Sequence, residues 1–432
     1  MTLTVVSSYF PLPQDRGDPV RVLMALRALA SVRDHTLLVV RRPDTRPEQV
    51  DQLRRMLPGV EVRVFDATAF RYDRFGPAGR YPESLAAGLP PWVRSRWSAD
   101  LHGELRRRTG VGIALGEAAG AYVRDTPLRW HWDKANVLAA SLRQEVEAAA
   151  GPVRRLRARY LTRISTRFEA TVLSRCATVS VTSAEEATRL RRHHGRTADV
   201  VLPSAVALPV GHRPHPHERE LVWLGSFAYE PNLVGLRRFL SEGWPRLAAA
   251  GHTLDLVGSG LTGPVRATLA RHPGVRVLGY VDDLRPVLAR SRAAVVPLWS
   301  GAGVKLKTLT LLAHAVPVFA TPVGAEGVPP SVAVRLAGTP AALAERILGT
   351  APADLDAMAA EAVRLVRDRF SADRFATDLV DSLTACGALD LSDRPPGPAA
   401  GRDRAAPADR PPGSTAGRDR SAPADRHTRP ER

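Results

Sequence analysis

Residues 293–328 read AAVVPLWSGAGVKLKTLTLLAHAVPVFATPVGAEGV. The run opens on small and β-branched residues, breaks at a turn holding Gly301 and Gly303, and resumes with Leu306 and Leu309 at helical spacing. It then returns to a second apolar run, VPVFAT, and ends in another glycine-containing turn. Strand, turn, helix, strand and turn in that order predict a parallel β-α-β unit. The two glycines let the backbone approach a ligand closely. A helix starting near Val304 aims its free amides and positive dipole end at the same turn. Lys305 is expected in the first turn of that helix, where the dipole disfavours a cation. An anion held between the two removes the conflict. The plainer reading is a pair of solvated lysines, Lys305 and Lys307, on an amphipathic helix. Composition sharpens the choice: of 61 basic residues only Lys134, Lys305 and Lys307 are lysines, so two of the three flank this turn.

The same alternation recurs along the chain. LTVVSSYF, HTLLVV, VEVRVFDA, TVSVTS and DVVLP read as strands in the first half. Helices are expected at 19–31 and over 152–175, where Val153, Leu156, Tyr160, Ile164, Phe168 and Val172 recur at three and four. Ser183 with Glu186 gives the capping-box pattern that opens another helix. ELVWLGSF, HTLDLVG, VRVLGY, AAVVPL and VPVFAT are the strands of the second half. Strands alternating with helices imply two doubly wound α/β domains facing a cleft, with ligands beyond the carboxyl ends of the strands. The expected divisions are 1–207, a Pro- and His-rich linker at 208–219, 220–370, a C-terminal helix at 371–388, and a tail from 389. The tail repeats a sixteen-residue Pro/Arg-rich unit over 393–424 and has too little apolar surface to offset its ordering entropy, so it is expected to be disordered.

A chain of 432 residues exceeds one ordinary core, and 44% hydrophobic residues suffice for two. Two cysteines give no disulfide framework, the opening MTLTVVSSYF reads as a strand, and no apolar run reaches ~18 residues. These features predict a cytoplasmic protein. The formal charge of +17 favours polyanions, namely phosphorylated substrates, an anionic membrane or nucleic acid, unless it is a drift of composition toward Arg. PPWVRSRWSADLHGELRRR interleaves Trp92 and Trp97 with Arg94 and Arg96. Either this is ordinary packing, or with helix 152–175 it rests on an anionic membrane and reaches a lipid-linked acceptor. No aromatic-and-glycine motif accompanies the charge, so nucleic acid is not the expected partner.

Two further patterns carry less. His212, His215 and His217 stand in the linker without a fourth ligand, so no metal site is expected. Gly258, Gly260 and Gly263 spell the dinucleotide fingerprint with Asp282 about twenty residues on, but in the second half of the chain and with Pro264 opening the helix. The phosphate-binding pattern G-x-x-x-x-G-K-[ST] is absent from the sequence.

The C-terminal half resembles the nucleotide-sugar-binding domain of retaining GT-B glycosyltransferases of the group-1 (family 4) type. The resemblance rests on LVWLGSFAYEPN with Gly225, Pro231 and Asn232, then Phe239, Trp244 and Pro245, followed in order by LVGSG, GYVDDLRPVLARSRAAVVPL and GVKLK…PVFATPVGAEGV. SSYFPLPQDRGDPVRVLMALRALA and WDKANVLAASL are similar to the acceptor domain of the same family, and coverage runs over about residues 3 to 385. It implies a GT-B fold of two Rossmann-like domains. It also implies transfer of a sugar from a nucleoside-diphosphate donor with retention, needing no dissociable metal and no cofactor besides that co-substrate. The acceptor would be a small molecule or lipid-linked.

By the same resemblance Lys305 holds the donor diphosphate and Lys307 supports it, with Gly225, Gly301, Gly303 and Thr310 around the donor. Gly17 marks the acceptor-side loop. Thr310 stands where the family has a ribose-binding glutamate, and Ala302 where an acidic residue is common. Of the family's Asp-x-His-Asn-x-Glu, the chain keeps Asp133 and Asn136, the catalytic candidates, and has Ala135 and Leu138 for the other two. His131 is close in the chain, but its strand position need not reach the cleft. The substitutions leave a second reading, a non-catalytic GT-B protein that acts as a binding partner or activator.

Overall fold

The computed structural model describes residues 3–13, 17–71, 79–148, 151–209, 217–301 and 303–389. The tail repeat, most of the linker with His212 and His215, and Ala302 lie outside these residues.

Seven parallel strands form the first sheet: β1 (Leu3–Ser7), β2 (His35–Val40), β3 (Val60–Phe65), β4 (Val111–Leu115), β5 (Arg129–Lys134), β6 (Thr178–Val181) and β7 (Val200–Val201). Six more form the second: β8 (His217–Leu224), β9 (Thr253–Val257), β10 (Val275–Gly279), β11 (Ser291–Val296), β12 (Val318–Ala320) and β13 (Val334–Leu336). The strand orders are β3-β2-β1-β4-β5-β6-β7 and β10-β9-β8-β11-β12-β13. Order reverses between β1 and β4 and between β8 and β11, and such switch points are where open α/β sheets leave a crevice beyond the strand ends.

The longer helices that pack on the two sheets include α1 (Gly17–Ala30), α2 (Leu138–Ala148), α3 (Pro152–Leu173), α4 (Ala184–His194), α5 (Glu230–Glu242), α6 (Leu306–Ala313), α7 (Pro352–Arg369) and α8 (Ala372–Ala385). Each sheet has an apolar cluster on both faces. α8 leaves the second half and packs Phe375, Leu379 and Leu383 with Leu23 and Leu26 of α1. Its entry is fixed where the Val206 amide donates to the Phe370 carbonyl at 2.8 Å.

All ten expected strands are present; β4 and β13 add to them, as does β5, of which only the strand position of His131 was anticipated. β4, VGIAL, is short and holds a glycine, which it needs because a Cβ on Gly112 would meet the Trp130 ring at 2.5 Å. β5, RWHWDK, puts three ionisable side chains in the interior, and each has a partner from another element. Asp133 takes a fork from Arg21 of α1 at 2.7 and 2.8 Å. His131 meets the hydroxyls of Thr178 and Ser180 on β6, and burial pushes its imidazole down to about 4. Lys134 is fully buried against Glu169 of α3 at 2.5 Å. These pairs satisfy charges that hydrophobic patterning rejects.

The Trp92–Trp97 stretch is packing and not a surface patch. Trp97 stacks on Tyr122 at 4.8 Å, Arg94 donates to the carbonyls of Thr68 and Ala69, and Arg96 lies over the Tyr9 ring. In α3 the apolar stripe divides: Ile164, Phe168 and Val172 are buried, whereas Val153 and Leu156 are 79% and 71% exposed. Ser183 caps α4 by accepting the Glu186 amide, but the Glu186 side chain does not complete the box and goes elsewhere.

Candidate functional site

In the second sheet the chain leaves β11 through a loop in which Gly301 (φ 109°) and Gly303 (φ 79°) adopt the left-handed region that favours glycine. Lys305 is the N-cap of α6, one residue before the helix, and not part of its first turn as expected. Its Nζ donates to the Gly303 carbonyl at 2.6 Å and lies 3.4 Å from Glu326. Burial pulls its ammonium below the ordinary lysine value, partly offset by Glu326. The loop is therefore curled around its own cation at the positive end of α6.

Lys307 departs from the expectation for a solvated lysine. It turns inward, donates to Asn232 Oδ1 at 2.7 Å and sits 5.5 Å from the centroid of the Trp223 ring. Burial, then the charge of Lys305, lower its ammonium to about 7. Asn232 in turn donates to the Ser226 carbonyl, so Lys307 buttresses the loop after β8 from beneath. Gly225 lies in that loop, where a Cβ would come within 2.8 Å of Asn232. Thr310 bonds its own helix at the Leu306 carbonyl, 2.9 Å. Gly258 and Gly260 of the fingerprint run pack directly on the Gly225 and Ala228 backbone, which accounts for their lack of side chains.

On the facing sheet Asp133 is 2% exposed, with Arg21 and Ser180 on its two oxygens. Burial alone would raise its carboxyl; the Arg21 charge and hydrogen bonds outweigh it and hold the group below the usual carboxylate range. Both carboxylate oxygens are thus committed to protein partners inside the sheet. Asn136 does reach the crevice: its Oδ1 lies 2.0 Å from the position of a Cβ on Gly303. Gly17 is the first residue of α1 and not a loop residue. The structure thus brings Asn136, Gly301, Gly303 and Lys305 to one place, leaves Lys307 and Gly225 behind it, and keeps Asp133 inside the sheet.

Sequence reasoning missed the acids around Asn136. The backbone amide of Asn136 donates to Glu117 at 2.6 Å, that of Val137 to Glu186 at 2.6 Å, and those of Leu138 and Ala139 to Glu169 at 3.0 and 3.2 Å. Three carboxylates from three elements thus take the free amides that open α2. Glu117 follows β4 at the switch point, and burial, then Asp18, push its carboxyl up to about 7. Tyr9, beyond β1, feels the same two acids, and burial first of all pushes its phenol up. Glu186 and Glu326 share Arg189, an ion-pair bridge from α4 to the loop after β12. The one available signal was position: Glu117 stands two residues after the VGIAL run, just past Gly116, where a strand reading would have put it at a carboxyl end.

Residues 218–368 match the family model described as glycosyl transferases group 1. Over that stretch the C-terminal half is similar to the group 1 glycosyltransferases. The matched stretch contains β9 to β13, α5, α6 and all but the last residue of α7, with Lys305, Asn232 and Glu326 inside it. No curated protein is detectably similar in sequence to the whole chain. Among solved structures, HepE of Anabaena in complex with UDP superposes with a TM-score of 0.62 at 13% identity, covering 89% of this chain and 100% of that one. A glycosyltransferase of Rickettsia africae gives 0.57 at 12% identity over 89% and 98% of the two chains. WaaG, a glycosyltransferase involved in lipopolysaccharide biosynthesis, gives 0.55 at 14% identity over 88% and 99%. These likenesses show the fold: two Rossmann-like domains in the GT-B arrangement.

Proposed function

We propose that the chain transfers a sugar from a nucleoside-diphosphate donor to a small-molecule or lipid-linked acceptor, with retention and without a dissociable metal. Residues 220–370 would form the donor side and residues 1–207 the acceptor side, joined by 208–219. The single observation that carries the reading is Lys305, which caps α6 beside Gly301 and Gly303 in the matched domain. A fixed cation and a helix dipole stabilise charge that develops on a departing diphosphate. In the reaction the anomeric C–O bond to the diphosphate breaks, and the acceptor oxygen bonds to that carbon on the same face. The acceptor's proton passes to the departing phosphate oxygen. HepE was solved with UDP and with UDP-glucose, so uridine diphosphate sugars are the first donors to try.

Lys307 would support the site from behind by holding Asn232, and Asn136 would face the donor from the acceptor side. Among the described residues no helix is long and apolar enough to cross a membrane. A cytoplasmic location is part of the same reading. One observation favours the non-catalytic alternative: the Thr310 hydroxyl, where the family's ribose carboxylate stands, is committed to its own helix.

Calorimetry with UDP and uridine tests the assignment. Lys305→Ala should weaken the diphosphate on the order of tenfold or more and leave the nucleoside nearly unchanged. Equal loss for both ligands would remove Lys305 from the role. Hydrolysis of no nucleotide sugar by a protein that binds UDP would favour the non-catalytic reading.

A further inference from the structure

The apolar stripe of α3 has a partner over only part of its length. From Ile164 onward it is buried, and Tyr160 already meets Tyr81, ring centroids 5.5 Å apart. Before that point every residue from Gly151 to Arg157 is exposed. Val153 and Leu156, three apart and so on one face, hold two bare aliphatic side chains in that segment. Arg154, Arg155, Arg157 and Arg159 flank them, and no acidic residue occurs between Pro152 and Phe168. Counting both helices of the α2–α3 hairpin, seven arginines stand against Glu145, Glu147 and Glu169.

We propose that the first two turns of α3 dock on an anionic lipid bilayer. The pairing of two features selects this occupant. Guanidinium groups around the tip complement lipid phosphates, and Val153 with Leu156 can enter the headgroup boundary, where a nucleic acid backbone would offer them nothing apolar. Position adds a consequence for function. α2 starts at the Asn136 loop in the crevice and runs 11 residues to the hairpin, about 16 Å at helical rise. A docked tip therefore holds the crevice within a short reach of the bilayer, which suits an acceptor carried by a lipid.

Flotation of the full-length protein with vesicles tests the docking without any sugar substrate, so its failure leaves the donor assignment standing. At about 0.1 M salt, where charge attraction still reaches ~10 Å, binding is expected to phosphatidylglycerol–phosphatidylcholine vesicles and not to phosphatidylcholine alone. R154Q/R155Q/R157Q should weaken it on the order of a hundredfold, and V153S/L156S on the order of tenfold. UDP binding and circular dichroism, unchanged in both variants, confirm that the fold is intact. Equal binding to neutral vesicles, or unchanged binding in both variants, overturns the proposal. So does displacement by single-stranded RNA through the same arginines with no effect of V153S/L156S.

Discussion

Arg189 of α4 forms an ion pair with Glu326, a residue of the loop that follows β12. The same guanidinium pairs with Glu186, and Glu326 also faces Lys305 at 3.4 Å. Glu186 meanwhile accepts the Val137 amide. A line of alternating charge therefore runs from the amides that open α2 to the loop proposed to hold the donor diphosphate. Glu326 is 8% exposed and Arg189 25%, so solvent screens this pairing less than an open surface contact.

If this line couples the two halves, Arg189→Ala and Glu326→Ala should not be additive. A double-mutant cycle on unfolding free energy is expected to give about 1–2 kcal/mol of coupling. Values within ~0.3 kcal/mol of zero would make the ion pair a bystander.

The contact between Asn136 and Gly303 makes a steric prediction. Gly303 has φ 79°, and a Cβ there would overlap Asn136 Oδ1 at 2.0 Å. Gly303→Ala should cost about 1–3 kcal/mol, from left-handed strain and from displacing the facing loop. Adding Asn136→Gly should restore the second part only, raising the melting temperature part-way toward the parent. No rescue would place the whole cost in the backbone.

How much of this was legible follows from which side chains carry it. The β-α-β reading of 293–328 held because β11, α6 and β12 follow local apolar periodicity and glycine turns. The burial of β5 was hidden because His131, Asp133 and Lys134 are tolerated inside only through partners 35 to 112 residues away in the chain. Gly301 and Gly303 were visible because their conformational demand is local. The acids around Asn136 were not, since Glu117, Glu169 and Glu186 converge on four amides through tertiary structure alone. Lys305 and Lys307 looked like a pair, but a helix N-cap and a first-turn residue face different ways, and only the fold separates them.

Lys134, the remaining lysine, should be structural. Its ammonium and the Glu169 carboxylate are both fully buried at 2.5 Å, and Glu169 also meets His194 at 2.6 Å. Burial would raise the Glu169 carboxyl, but Lys134 and the hydrogen bonds bring it down to about 2. Lys134→Met removes the counter-charge and should cost about 3–5 kcal/mol, read by chemical denaturation. A loss below ~1 kcal/mol would mean that His194 alone neutralises the glutamate.

Lys307 links stability to alkaline pH. Its ammonium is lowered to about 7, whereas an unfolded lysine stays charged to about 10.5. Between these values the unfolded chain binds the extra proton, so the folded state gains stability as pH rises. Lys307→Met, neutral at every pH, should flatten that rise between pH 7 and 9. An unchanged slope would show that the lysine remains charged in the folded protein.

Glu117 makes the opposite prediction at lower pH. Its carboxyl titrates at about 7 in the folded protein, raised by burial first and by Asp18 second, against an ordinary value of 4.5. The folded state then holds a proton that the unfolded chain has lost. The contribution is fully present below pH 4.5 and disappears as pH rises through 7. Its size is on the order of 3 kcal/mol from the shift. Glu117→Gln stays neutral at every pH and keeps an oxygen to accept the Asn136 amide. The variant should therefore match the parent near pH 5 and become the more stable of the two by pH 8, where the parent must bury a carboxylate beside Asp18. Melting temperatures of both proteins across pH 5 to 8 measure this directly. A constant difference over that range would mean that Glu117 is ionised throughout and that the Asn136 loop is held by a charge, not by a neutral acid.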